Sequence, residues 1–340
     1  MVCFDELVTF PFEFKEQPER KSHGLRNFLT LIAALLVIAV AVVGVYVVNL
    51  SSTFDSAKKI AVEEVFPEET TRPAVAENKS QNILLMGSDK RGELSGDIDD
   101  AKGSRSDTMM VVHISSDRDS VHVMSIMRDS WVDIPGHGKA KMNAALAYGG
   151  VPLAVQTIEG LIGSRIDRIA IVDFEGFKGI TNALGGVEVD NPVAFKSFEQ
   201  GLNTLNGDEA LQFVRERKSF ADGDYQRVRN QQIYIKGVLR KILSAETLTN
   251  PVTINNLVSS MAPFLTVDSG FSSTYAGSLG FELRDIRMAD MAFFTMPTLG
   301  TGMQGDQSVV NVDWDQVAVI KEHFIDDTLS KYEVPVRPAA

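Results

Sequence analysis

The sequence predicts an α/β sandwich with a mixed central sheet, preceded by one transmembrane helix. Three observations predict it. Residues 28–48 form an apolar run with no charge and no proline. Beyond residue 80, short β-rich apolar runs end in turn residues and are interspersed with helical patterns. A periodic apolar stripe then marks one long helix over residues 224–243.

The N-terminal run comes first. At 1.5 Å rise per residue, about 20 apolar residues cross a hydrocarbon core of about 30 Å. Only a helix satisfies every backbone group there. A cleaved leader would have a shorter apolar core, about 7–15 residues, and a small-residue cleavage site. Val48-Asn49-Leu50-Ser51 is a poor match to such a site. Lys15, Arg20, Lys21 and Arg26 precede the run, whereas the first basic residues after it are Lys58 and Lys59. Counting basic residues places the N-terminus inside and the bulk of the chain outside. The expected organisation is a cytoplasmic tail over 1–27, the span over 28–48, an extracytoplasmic spacer over 49–80, one domain over 81–330 and a tail over 331–340.

The elements follow in order. Residues 83–86 read as a buried strand feeding Gly87-Ser88-Asp89. Residues 108–114 and 121–127 read as a hairpin joined by the turn residues 115–119. Helices are expected over 143–148 and 152–162, then a strand over 169–172. A helix over 174–184 ends at Gly185-Gly186, and a strand over 187–189 follows. A helix over 208–214 starts behind an Asn206 cap. In the helix over 224–243, Val228, Ile235, Val238, Leu239 and Ile242 mark a buried face. Two or three helices, a strand over 291–296 and a last helix over 314–325 complete the chain. The pattern fits an α/β or α+β sandwich with a mixed sheet. In the spacer, only a short helix within 54–65 is expected.

Composition narrows the function. The 340 residues carry a formal charge of −12, unlike a general nucleic-acid binder, which is usually basic. The single cysteine, Cys3, lies before the span, so the outer region has no disulfide and no thiolate chemistry. His113, His122, His137 and His323 show no metal-ligand spacing, and His113 and His122 fall inside predicted strands. The acidic stretch 97–100 lacks a calcium-loop pattern.

The charges at strand ends are informative. Arg105 and Asp107 precede the second strand, Asp89 follows the first, Arg128-Asp129 follows the third, and Lys141 and Asn143 open a helix. Such ends converge on one rim when strands lie side by side, and loops on a rigid scaffold build sites. Arg215, Arg217, Arg227 and Arg229 lie close together in an acidic protein. Arg215 and Arg217 share a side only where the chain is extended. Asp224, Arg227 and Gln231 form one helical stripe. Guanidinium forks suit phosphate bidentately. Asp89 and Asp107 suit Mg²⁺, which takes one or two carboxylates together with phosphate oxygens.

In order, ILLMGSDKR, RSDTMM, MSIMRDS, KMNAALAYGG, VDFEGF, LGGVEV, LNGDEALQFVRERK and GDYQRVRNQQ resemble the LytR-CpsA-Psr family of bacterial cell-wall ligases. The resemblance covers about residues 81–232. It implies an α/β/α sandwich with an apolar pocket for a polyprenyl chain. It implies a phosphotransferase that moves a glycopolymer from a polyprenyl-pyrophosphate carrier to a muramic acid hydroxyl of peptidoglycan, with Mg²⁺ or Mn²⁺. By motif position, Asp89 and Asp107 are the metal ligands. Arg105, Arg128, Arg215, Arg217, Arg227 and Gln231 hold the pyrophosphate. Asp107, Arg128, Arg217 and Asp224 form the catalytic set, with Asp107 or Asp224 as proton acceptor. Many members carry an arginine where this chain has Asn230. Arg229, one residue earlier, is rotated by about 100° and does not replace it. A polyprenyl-pyrophosphate phosphatase using water as acceptor stands as one alternative, and a non-enzymatic receptor for lipid pyrophosphate as another.

Overall fold

Seven strands build one mixed sheet in this computed structural model, which describes residues 24–88 and 106–334, without side chains for 24–39, 88, 106 and 107. The acidic stretch 97–100, the interval from Asp89 to Arg105, and the tail 335–340 lie outside the described residues. The chain divides into residues 1–48 and 49–340, each a unit by itself. Helix α1 (Gly24–Asp55) accounts for the described part of the first unit and enters the second.

The second unit begins with β1 (Lys58–Ile60) and α2 (Val62–Val65). Three sheet strands follow: β2 (Gln81–Ser88), β3 (Ser106–Ile114) and β4 (Val121–Ile126). A small hairpin, β5 (Trp131–Ile134) and β6 (Gly138–Lys141), leads into α3 (Ala144–Ile162). Next come β7 (Arg168–Asp173), α4 (Phe174–Ala183), the hairpin β8 (Val187–Asn191) with β9 (Gly201–Leu205), α5 (Gly207–Arg215) and α6 (Gly223–Ile242). The remainder is α7 (Ala245–Leu248), α8 (Pro251–Met261), β10 (Leu265–Asp268), α9 (Ser273–Glu282), β11 (Met291–Thr295), the hairpin β12 (Thr298–Gln304) with β13 (Gln307–Val312), and α10 (Trp314–Ile325).

The sheet order is β1-β10-β7-β2-β3-β4-β11. The β2–β3–β4 meander is antiparallel, while β2 runs parallel to β7 and β4 parallel to β11. The hairpin expected over 108–127 is therefore present. Alternation sends Leu84, Met86, Met109, Val111, Met124 and Ile126 to one face, where α3 and α10 cover them with Ala154, Ile158, Ile320 and Phe324. Ile83, Met110, Ile114 and Val123 face the other side. Helix α3 breaks at Gly149 and Gly150, where Gly150 takes φ +65°, so the two predicted helical stretches meet at a kink. Helix α5 starts in a capping box, with Asn206 and Glu209 bonding reciprocally.

His113 and His122 are buried structural residues. The His113 ring bonds Asn82 Oδ1 and Asp327 Oδ1, each at 2.8 Å. Burial pushes the His122 imidazole down to about 4, so it stays neutral at pH 7.

The spacer expected over 49–80 is instead part of the domain. β1 pairs parallel with β10, Lys58 opposite Thr266, and extends the sheet at one edge. Val65 and Phe66 enter the core under α3. Arg72 Nη2 sits 2.6 Å from the carboxylate of Glu159, and the two side chains are 9% and 1% exposed. The short helix expected within 54–65 is present as α2 (Val62–Val65), although α1 runs to Asp55 and β1 lies between them. Removing one partner of a buried ion pair leaves an uncompensated charge and costs about 3–5 kcal/mol. Arg72→Ala is therefore expected to lower unfolding stability by about 3 kcal/mol, read by denaturant titration. Likewise, a chain starting at Ser80 is expected to be clearly less stable than one starting at Asn49; equal midpoints would contradict the assignment of 49–80 to the core.

Candidate functional site

Helices α4, α5 and α6 pack over the second face of the sheet without filling the space beneath them. A cavity of about 390 Å³ remains. Leu85, Met110 and Val172 form its sheet side, Phe177 and Ile180 come from α4, and Leu211 and Val214 come from α5. Tyr234, Ile235, Val238 and Leu239 complete the wall from α6. Ile235, Val238 and Leu239 are only half-buried: all three line the cavity, and Ile235 and Val238 also pack against the core beside it. The fully covered residues of α6 are largely polar: Gln226, Arg227, Asn230, Gln231 and Gln232.

Apart from Met86 and Phe174, the cavity's remaining lining is mostly charged and polar. Arg128, Arg215, Arg217, Arg227 and Gln231 all reach it, with Gly87, Thr108 and Asp173 at the adjoining strand ends. Local structure explains each position. Arg128 follows the end of β4. Arg215 closes α5, and Glu216 then leaves the helix with φ −68° and ψ 130°, so Arg217 returns to the same side. The extended geometry that the i, i+2 spacing demanded is present. Glu216 itself turns away and is buried against Lys196 and the Ser219 backbone N–H at 2.9 Å. Burial opposes its ionisation, but those partners outweigh it and hold the carboxyl at about 2. The intervening residue thus pins the loop that aims its two neighbours.

Asp224 lies in the first turn of α6 and does not cap it; Asp222 occupies the cap position. Its Oδ1 is 3.2 Å from Arg227 Nη2 and 3.7 Å from Arg217 Nη1. One carboxylate thus serves a buried arginine, 6% exposed, and an open one, 46% exposed. The Arg215 guanidinium lies 4.5 Å above the Phe174 ring. Asp129 pairs with Arg128 at 3.2 Å and Lys141 at 3.3 Å. Burial would raise its pKa, yet the two cations prevail and hold it below the usual carboxylate range.

The structure therefore brings together Arg128, Arg215, Arg217, Asp224, Arg227 and Gln231. It separates Arg229, which turns outward to Asp222 and Gln226. Asn230 is fully buried, bonding the Phe213 carbonyl at 3.1 Å. Asp89, Arg105 and the Asp107 side chain lie outside the described residues. The Asp107 backbone is at the rim: Gly87 pairs with Thr108 and Ser88 with Ser106, so Asp107 is the extra residue of a bulge. Among the described residues no group of three His, Cys, Asp or Glu side chains is placed to hold a metal ion.

Asp173 was not foreseen. It ends β7 opposite Ser88, reaches the cavity, and caps α4 by accepting from Gly176 N at 2.8 Å. Burial pushes its carboxyl up. In the sequence it is one more carboxylate after an apolar run, as Asp89 is.

Known proteins are similar to this chain in sequence and in fold. The profile of the LytR_cpsA_psr family matches residues 44–325. TagU of Bacillus anthracis, named a polyisoprenyl-teichoic acid--peptidoglycan teichoic acid transferase, is 36% identical over 215 residues, covering 61% of this chain and 68% of that protein. LcpA of Corynebacterium glutamicum, named a cell wall biosynthesis protein, is 29% identical over 288 residues, covering 71% and 55%. The crystal structure of B. subtilis TagV superposes with a TM-score of 0.63 at 24% identity, covering 74% of this chain and 98% of that one, which shows a shared fold. The sequence order of motifs and the sandwich agree, and this chain belongs to the LytR_cpsA_psr family.

Proposed function

We propose that this chain is a phosphotransferase that moves a glycopolymer from a polyprenyl-pyrophosphate carrier to a peptidoglycan hydroxyl. The observation that carries the reading is an apolar cavity whose lining also holds four arginines. A polyprenyl pyrophosphate has the same division, one apolar chain and one dense anion. The name of the 36%-identical TagU supports teichoic acid transfer as the reaction type.

The acceptor oxygen attacks the sugar-bearing phosphorus, and the bond from that phosphorus to the bridging oxygen breaks. Polyprenyl phosphate leaves, and a phosphodiester joins glycan to wall. Such transfer relies on positioning and charge neutralisation more than on covalent chemistry. Arg128, Arg215, Arg217 and Arg227 supply fixed positive charge, and Gln231 a neutral donor. Asp224 holds Arg217 and Arg227, and Asp107 is the proposed proton acceptor. Asp89 and Asp107 are the proposed ligands of Mg²⁺ or Mn²⁺, which would supply further neutralisation of the pyrophosphate.

The same proposal includes a membrane anchor over 28–48, with the N-terminus in the cytosol and the second unit outside. Val40, Val43, Val45 and Val48 of α1 expose 59–72% of their surface, an apolar set that a bilayer would cover. Anchoring keeps the site beside a lipid-borne donor.

Four measurements test this reading. Full-length protein given a polyprenyl-pyrophosphate glycan, Mg²⁺ and peptidoglycan should attach glycan covalently; release of free phosphorylated glycan alone would mark a phosphatase, and binding without turnover a receptor. Arg217→Ala should reduce attachment by at least about 100-fold. Its unfolding midpoint should barely move, because the side chain is half-exposed. Val238→Trp should fill the cavity and raise the KM for the lipid donor roughly tenfold or more, while a lipid-free pyrophosphate competitor binds as before. For the metal, EDTA and Asp107→Asn should each abolish attachment, with added Mg²⁺ rescuing only the first.

A further inference from the structure

A second groove, of about 380 Å³, lies between the 67–71 segment and the kink of α3. Pro67, Pro152 and the His137 ring give it apolar surface, and Glu68, Thr71 and Gln156 supply hydrogen-bonding groups. Beside it, the Tyr148 ring stacks on His137 with centroids 4.7 Å apart and planes at 21°. Both residues are exposed, Tyr148 by 49%. The histidine stacks on one face of that tyrosine, and about half of the residue's surface is exposed. Polar rims around exposed rings suit a ligand with an apolar C–H face and a fringe of hydroxyls, which is the chemistry of a sugar. The Glu68 carboxylate disfavours an anion.

The groove is tied to the arginine site by two elements that start from it. Asn143 N bonds the Arg128 carbonyl at 2.9 Å, and Tyr148 follows about 7.5 Å farther along α3 at 1.5 Å per residue. Lys141, paired with Asp129, ends β6, which runs back about 10 Å to Gly138 beside His137. The Gly149–Gly150 break ends the first helical stretch directly after Tyr148. These path lengths put the stacked rings within reach of a short oligosaccharide that extends from Arg128.

We infer that this groove, with the His137–Tyr148 pair, is a subsite for the glycan strand of the acceptor. The inference rests on the transferase reading for its role, but binding can be measured without turnover. The probe is a soluble, peptide-free oligosaccharide of β-1,4-linked N-acetylated amino sugars, titrated calorimetrically into detergent-solubilised full-length protein. Saturable binding is expected. It should weaken on the order of tenfold in His137→Ala/Tyr148→Ala and persist in Tyr148→Phe, which keeps the ring. Farnesyl pyrophosphate should bind the wild type and both variants alike, showing that the site at the other cavity is intact. No binding by the wild type, or equal binding by the double variant, overturns the subsite. If the oligosaccharide binds as expected but no form of the protein attaches glycan to peptidoglycan, the groove stands and the transferase reading falls. If attachment proceeds and the acceptor KM is the same in the double variant, the groove falls and the transferase reading stands.

Discussion

Mutual repulsion among the guanidinium groups around one cavity is the constraint on which the rest of this structure depends. Two unit charges at about 4 Å interact by roughly 4 kcal/mol at an effective dielectric near 20. Several cations therefore need fixed offsets before any anion arrives. Asp224 stands between Arg217 and Arg227, Asp129 between Arg128 and Lys141, and the Phe174 ring beneath Arg215. Each offset leaves net positive charge around the cavity. A set of fully paired arginines would have no affinity to spare for pyrophosphate, and an unpaired set would not stay together.

The cavity imposes a second cost. At about 24 cal/mol per Å³, an enclosed void of that size would forfeit on the order of 9 kcal/mol. That is comparable to the whole stability of a typical domain, about 5–15 kcal/mol. Such a void is tolerable only when it opens to solvent or holds a ligand, and the sheet core on the opposite face has to carry the fold. That face is densely filled: Leu84, Val111, Val132, Ile134, Met142, Ile158 and Ile162 are wholly buried. The filled layer between the sheet and α3 carries the fold, and the arginine-lined cavity lies on the other face.

This division explains what could be read in the sequence. β2, β3, β4, β7 and β11 announced themselves as apolar runs between turn residues, and α10 matched its pattern from Trp314 to Ile325. β1 did not, because Lys-Lys-Ile carries no apolar alternation and pairs with β10 some 200 residues away. The hairpins β5–β6 and β12–β13 are short, polar or glycine-rich, and their pairing is set by what they rest on. The α6 stripe was legible as a stripe, but periodicity cannot distinguish a filled core from a cavity wall. The arginines stood out because they cluster in an acidic chain. Asp173 did not, since a strand-ending carboxylate is ordinary until the strands beside it are known. The proposed metal ligands Asp89 and Asp107 rest on motif position and on the bulge at the rim, not on described side chains.

Asn230 shows how the arginine set is held in register. The side chain accepts from Gln226 Nε2 at 2.8 Å and donates to the Phe213 carbonyl near the end of α5, with none of its surface exposed. Carbonyls in the last turn of a helix lack intrahelical partners, so this bond satisfies one of them from the neighbouring helix. It also ties the helix end that carries Arg215 to the helix that carries Arg227. An arginine there would need a buried counter-charge, and neither Gln226 nor the Phe213 carbonyl provides one. The asparagine removes one cation from a crowded region and adds a neutral link in its place. The tie carries no net charge, so it does not depend on the ion pairs around it.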